Sequence, residues 1–125
     1  MKCSLKDVDK ATLEKAVNSL AKELGATVVK QVEDYYGKMH SVEFGLIGGQ
    51  LRKGYGFNIV DGKVEIVGDE FAQALRMKEI EQKLAQEYNT VAWNDTLKSE
   101  GFNVSVKREK GKVFLHASGG GKGGF

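Results

Sequence analysis

The longest stretch with helical periodicity covers residues 70–100, and it restricts the fold more than any other feature. Its apolar residues recur at spacings of three and four, as in one stripe of an amphipathic helix. Asp69 suits the position that caps the start of such a helix, and Gly101 suits the residue just past its end. A helix over the whole run would be roughly 45 Å long at about 1.5 Å per residue, so a start nearer Met77 is the alternative. The stripe consists of Met77, Ile80, Leu84, Tyr88 and Val91.

A shorter amphipathic helix is predicted near the start of the chain. Asp7 or Asp9 can cap its first turn, and Gly25 is placed to end it. A first strand over residues 2–6 would precede this helix. The predicted buried face of the helix consists of Leu13, Ala16, Val17, Leu20, Ala21 and Leu24.

Four segments between the helices have the composition and alternation of strands. Asp61-Gly62 is a strong signal for a two-residue hairpin loop, and Gly48-Gly49 is another. These loops predict an antiparallel meander. Its strands are expected over residues 27–32, 39–47, 50–60 and 63–67.

A last pair of strands is predicted after the long helix, with a turn over residues 109–111. Phe102, Val104 and Val106 alternate with polar residues, and Val113, Leu115 and Ala117 continue the apolar face. The expected fold is therefore α+β, in the order (β)αββββαββ. It has a two-layer antiparallel sheet, made of the meander and the C-terminal hairpin, packed on two helices. Residues 1–117 are expected to form a single domain, and the glycine-rich residues 118–125 a flexible tail.

Composition favours an intracellular protein without a membrane segment. Cys3 is the only cysteine, so no internal disulfide can form, and no secretion signal or membrane-length apolar run is present. Residues 1–104 carry 14 Lys/Arg and 16 Asp/Glu, a net charge of −2, whereas residues 105–125 carry 5 and 1, a net charge of +4. Cys3, His40 and His116 lack metal-ligand spacing, so neither a metal nor a cofactor is predicted. We expect a cytoplasmic location.

Several of these features together resemble a known family. They are Tyr35-Tyr36-Gly37 before the second strand, the GYGF and Asp-Gly hairpin, residues 82–88 (QKLAQEY), and Gly101-Phe102 at the end of the long helix. The chain resembles the uncharacterised hypothetical plastid reading frame 35 family, also called domain of unknown function 1257, from about residue 13 to residue 115. The resemblance implies no activity and no catalytic residue. The extreme N-terminus and the glycine tail depart from the plastid pattern.

A nucleic-acid-binding function is one alternative. Lys53 to Phe57 (KGYGF) matches the first five positions of the RNA-recognition-motif octamer, whose aromatic residues stack on bases. The order of strands and helices differs from that fold, so a plain strand with core aromatics is the competing interpretation. The residues that would serve a nucleic-acid surface are Arg52, Lys53, Tyr55, Lys107, Arg108, Lys110 and Lys112.

The long helix suggests a partner surface. Trp93 lies about 140° from Tyr88 around a helix axis, and Leu75 and Leu97 also fall outside the main stripe. Either the C-terminal hairpin covers this side of the helix, or Leu75, Trp93 and Leu97 form an exposed apolar patch. Tryptophan is a favoured anchor when it lies in an interface.

The sequence contains no catalytic motif, so we expect a non-enzymatic protein-interaction domain, an adaptor or a self-associating subunit. Its partner is either another, unidentified protein or a second copy of the chain. Gly123-Gly124 before the terminal residue also resembles the tail of ubiquitin-like modifiers, which is a further alternative.

Overall fold

A computed structural model of the chain describes residues 5–69, 75–109 and 112–118. These residues form two helices, a four-stranded antiparallel sheet and a separate two-stranded sheet, so the predicted α+β class and element order are confirmed. The expected first strand falls mostly on residues outside the described ranges, and Leu5 and Lys6 are not in a strand. The elements are α1 (Lys10–Leu24), β1 (Thr27–Glu33), β2 (Met39–Gly48), β3 (Leu51–Val60), β4 (Lys63–Gly68), α2 (Met77–Ser99), β5 (Asn103–Glu109) and β6 (Lys112–Ser118).

Both ends of α1 have the predicted caps. The Asp9 carboxylate accepts hydrogen bonds from the backbone N–H and the hydroxyl of Thr12, each at 2.9 Å. The first bond satisfies a helix N–H that has no partner inside the helix, and both bonds lower the pKa of Asp9. Gly25 ends the helix with φ +66°, a conformation in which a side chain would be strained. All six residues predicted for the buried face of α1 are buried.

The strands of the larger sheet follow one another in the order β1-β2-β3-β4, as a meander requires. Val60 pairs with Lys63, so Asp61-Gly62 forms the predicted two-residue loop. The preceding loop is one residue later than predicted: Gly48 pairs with Leu51, and Gly49-Gln50 makes the turn.

The physical reason for this shift is a contact with α1. The Gln50 N–H donates to the Leu24 carbonyl at 3.0 Å, which supplies a partner to a carbonyl at the helix end. A Cβ on Gly49 would lie 2.2 Å from the same carbonyl oxygen. Only glycine allows the turn to come this close to the end of the helix.

The chain divides into two compact units, Met1–Tyr88 (the N-terminal unit) and Asn89–Phe125 (the C-terminal unit), and the division falls inside α2. Every buried hydrophobic residue of the described chain belongs to the N-terminal unit. The prediction of a single domain over residues 1–117 stays a prediction. The buried hydrophobic residues are Leu5, Leu13, Ala16, Val17, Leu20, Ala21, Leu24, Val32, Val42, Phe44, Leu46, Leu51, Tyr55, Phe57, Val64, Ile66, Ile80 and Leu84.

Helix α2 begins at Met77, which agrees with the shorter of the two predicted helices. Gly101, with φ +91°, follows its end. The Phe102 N–H donates to the Leu97 carbonyl and the Gly101 N–H to the Lys98 carbonyl, both at 3.0 Å. This is the Schellman arrangement, which fixes where the chain leaves the helix. No helix of the described residues is long and apolar enough to cross a membrane.

Glu87 of α2 is a buried acid, with only 1% of its surface exposed. Its position explains the burial, because Glu87 lies three residues after Leu84 and seven after Ile80 and therefore shares their stripe.

Candidate functional site

Trp93 is the most exposed large apolar residue of α2, with 61% of its surface accessible. Of the three residues of the predicted patch, Trp93 is thus exposed, and the patch itself stays a prediction. Asn89 and Thr96, four residues before it and three after it, line an open groove of about 190 Å³ together with Trp93 and the adjacent Ala92. Leu97 is half-buried. The indole thus stands over a shallow apolar depression on one helix.

Leu75 does not share a helix face with Trp93. The prediction that grouped them assumed a helix over residues 70–100, but α2 begins at Met77. Leu75 precedes it, and its backbone carbonyl accepts a 2.6 Å hydrogen bond from the Tyr55 hydroxyl. Leu75 therefore contributes a backbone contact to the N-terminal unit.

The C-terminal hairpin carries an apolar face that is not buried. The register pairs Val104 with Ala117 and Val106 with Leu115, so their side chains lie on the same face of the two strands. None of the described residues of β5 and β6 is buried, and 43% of Val106 is exposed. The apolar residues of this face are Val104, Val106, Val113, Leu115 and Ala117, and Arg108, opposite Val113, lies at its end near the loop.

The opposite face of the hairpin is polar, with one exposed aromatic residue. Phe114 pairs with Lys107 and is 51% exposed. The Lys107 ammonium lies 3.2 Å from the Glu109 carboxylate, and both side chains are largely in solvent. Such an exposed pair contributes little to stability.

The predicted nucleic-acid residues are divided between the two units. Tyr55 is fully buried and cannot stack on a base, so its proposed role there is wrong. Arg52 is exposed on β3, and the Lys53 ammonium lies 3.4 Å from the Glu33 carboxylate. The others belong to the C-terminal unit: Lys107, Arg108 and Lys112 are exposed on the hairpin, and Lys110 lies outside the described residues.

The turn between β1 and β2 presents a pair of tyrosines that sequence reasoning had used only as a family marker. Tyr35 and Tyr36 are 64% and 88% exposed, and their rings meet edge to face at 5.3 Å. Met39, at the start of β2, is 54% exposed. Two adjacent aromatic residues in a turn, which has few buried positions, were the available signal for this exposed cluster.

Asp34 organises that turn. One carboxylate oxygen accepts hydrogen bonds from the backbone N–H groups of Tyr36 and Lys38, and the other accepts one from His40 Nε2 at 2.7 Å. The His40 bond, followed by the Lys38 N–H, holds the pKa of Asp34 below its ordinary value of 3.8. His40 therefore has Asp34 as its hydrogen-bond partner.

The described residues contain no group of three or more His, Cys, Asp or Glu side chains placed to hold a metal ion. His116 lies on the polar face of the hairpin, opposite Ser105, and His40 is on β2 in the other unit. The predicted tail, with Gly123 and Gly124, lies outside the described residues except for Ser118, which ends β6.

No protein-family model, curated protein or solved structure matches this chain. The resemblance to the plastid reading frame 35 family therefore stays a prediction, based on the residues given above.

Proposed function

We propose that this chain is a small intracellular, non-enzymatic protein-interaction domain, and that its C-terminal unit provides the contact surface. One observation carries the proposal: none of the described residues from 89 to 118 is buried, although this segment includes Trp93 and a hairpin with one apolar face. An isolated two-stranded hairpin is at best marginally stable in water. A partner that covers apolar surface in this unit would stabilise it.

Trp93 is the expected anchor of the contact. A large, rigid aromatic side chain gains much apolar contact when it enters a partner, and it loses little conformational freedom in doing so. Truncation of such an anchor typically weakens binding by about 2 kcal/mol or more, a factor of about 30.

The test compares capture of partners by three forms of the full chain. Wild type, Trp93→Ala and the control Tyr36→Ala are immobilised and exposed to an extract of the native cell, and a captured protein is then purified and its affinity measured. We expect Trp93→Ala to lose at least about tenfold in affinity while Tyr36→Ala, in the other unit, binds as wild type does. If Trp93→Ala has the same melting temperature and retains every partner, the assignment of the contact to the Trp93 surface is wrong.

A nucleic-acid-binding module is the second candidate, favoured by the exposed Phe114 opposite Lys107 and near the exposed Lys112. Aromatic residues among lysines can stack on the bases of a single strand. A salt titration with a mixed-sequence single-stranded DNA separates the two candidates, because affinity based on phosphate contacts falls steeply with salt. An affinity that hardly changes between 50 and 200 mM salt, values typical of such titrations, would exclude phosphate contacts as its basis.

The ubiquitin-like alternative depends on Gly123 and Gly124. Recovery of the chain from cells with its end trimmed to Gly124, or joined to another protein through that residue, would support it. The interaction proposal makes no use of these residues.

A further inference from the structure

The outer edge of β6 is the sheet edge of the C-terminal unit that carries the least charge. Between Val113 and Ala117 the strand has no Lys, Arg, Asp or Glu, whereas β5 carries Lys107, Arg108 and Glu109. Charged residues on an edge strand oppose its pairing with another strand, and their absence leaves the edge able to pair.

The register of the hairpin determines which backbone groups face this edge. Glu109 pairs with Lys112 around two intervening residues, and a loop of that length is closed by a hydrogen-bonded pair. Hydrogen-bonded and non-hydrogen-bonded pairs alternate along an antiparallel ladder. Val113, Leu115 and Ala117 therefore direct their N–H and C=O groups away from β5. The Ser105 hydroxyl agrees with this assignment, because it donates to the inward-facing His116 carbonyl at 3.5 Å.

We propose that the partner is a second copy of this chain, paired antiparallel through β6 about a twofold axis at Leu115. This proposal rests on the proposed interaction function. Leu115 is the middle residue of the seven in β6, so this register pairs the whole strand. The outward groups of Val113, Leu115 and Ala117 then make about six hydrogen bonds with the second copy.

The side chains of β6 are compatible with themselves in this register. Leu115 meets Leu115, and Val113 meets Ala117, so the apolar faces of the two hairpins become one continuous face. On the polar side Phe114 meets His116 and Lys112 meets Ser118, so no like charges lie opposite each other. The same symmetric pairing through β5 would place Arg108 opposite Val104.

Pairing would also stabilise the hairpin, which is marginally stable by itself. Three or more strands with an apolar face are needed for an independently stable sheet, and the dimer has four. The interface is isologous, with the same strand on both sides, so it closes at two copies.

The first experiment measures self-association of the full chain by analytical ultracentrifugation. Wild type, Leu115→Lys, Leu115→Glu and an equimolar mixture of the two variants are compared. We expect wild type to dimerise. Each variant alone should dimerise at least about tenfold more weakly, because like charges meet on the axis, and the mixture should recover the dimer because its charges are opposite.

Val106→Lys is the matched control, because Val106 faces Leu115 from β5 on the same apolar face. It should retain the dimer if the β6 edge forms the contact. A loss equal to that of Leu115→Lys would overturn the edge assignment, as would a mixture that fails to dimerise when wild type does. A wild-type chain that stays monomeric up to about 1 mM would overturn the proposal entirely.

A second measurement does not depend on whether the lysine and glutamate variants fold. With Cys3→Ser in the background, Leu115→Cys should oxidise to a cross-linked dimer, because opposed residues in a hydrogen-bonded pair have Cα atoms about 5.5 Å apart, within reach of a disulfide. Val106→Cys should cross-link much more slowly. Equal rates would contradict the β6 register.

These results separate the two proposals. If wild type is monomeric but a different protein binds through Trp93, self-pairing is wrong and the interaction function stands. If Leu115 controls dimerisation and Trp93→Ala has no effect on any contact, the β6 edge is the interaction surface and the groove on α2 is not.

Discussion

The two units of this chain differ in the burial of their apolar residues, and helix α2 shows the contrast within one element. Ile80 and Leu84, in the N-terminal unit, are fully buried, whereas Leu97 is half-buried and Trp93 is mainly exposed. The N-terminal unit thus contains all the buried hydrophobic residues of the described chain. The C-terminal unit has the residue pattern of a folded hairpin without the burial that normally stabilises one.

This difference teaches that an amphipathic pattern does not by itself supply burial. The alternation over β5 and β6 is as regular as that over β2, and both predict a strand with one apolar face. In β2 the apolar residues Val42, Phe44 and Leu46 are buried. In the hairpin the corresponding face stays accessible, which leaves it available to a partner.

The largest effect is expected from a matched pair of leucines on α2. Leu84→Ala should lower the free energy of unfolding by about 2–5 kcal/mol, because it removes a fully buried side chain and leaves a cavity. Leu97→Ala, a change of the same chemistry in the other unit, should cost about 1 kcal/mol or less. Chemical denaturation followed by circular dichroism measures both. Equal losses would mean that the C-terminal unit has a core after all.

A smaller effect is expected in amide hydrogen exchange. Amides of β3, such as that of Phe57, should exchange only when the N-terminal unit opens, whereas amides of β5 should exchange through local opening. We expect protection factors at least about tenfold lower for the hairpin in dilute protein. If the protection factors of the hairpin rise with protein concentration while those of β3 do not change, association stabilises the hairpin. Hairpin amides that are as protected as those of β3 would contradict the difference between the two units.

The smallest effect concerns the Asp34 turn. Its lowered pKa means that the folded state favours the charged carboxylate, so the stabilisation is present above pH 3.8, the ordinary value, and is lost as pH falls through the lower folded value. Asp34→Asn should therefore lower the melting temperature at pH 7 by a few degrees at most, and the difference from wild type should shrink in acid.

Glu14→Gln, an exposed carboxylate-to-amide change on α1, serves as the control for that comparison. Melting curves of the three proteins from pH 7 to pH 2 decide the matter. A deficit for Asp34→Asn that stays constant down to pH 2 would show that the carboxylate charge is not what orders the turn.

Local patterns predicted much of this fold because the interactions that set it are local. The six buried residues of α1, its two caps and the Asp61-Gly62 loop all follow from spacings of a few residues. The Gly49-Gln50 loop was misplaced by one residue because the decisive contact, with the Leu24 carbonyl, joins segments that are distant in sequence.

The candidate site was less predictable, since it depends on what covers each residue. The helical wheel identified Trp93 as an outlier but could not decide whether it was exposed. It wrongly grouped Leu75 with Trp93, because periodicity alone did not show that the helix starts at Met77. The burial of Glu87 follows from its position on the stripe of Ile80 and Leu84, whereas its residue type alone favours exposure.

Trp93 is the single tryptophan of the chain, and this has a consequence for optical measurements. Its fluorescence reports the environment of a half-helix that has no buried residues, and it responds to the sheet core only indirectly. Emission and far-ultraviolet dichroism should therefore record different denaturation midpoints for the same sample. An emission maximum that shifts to the blue as the protein is concentrated would mark the moment when this indole leaves water.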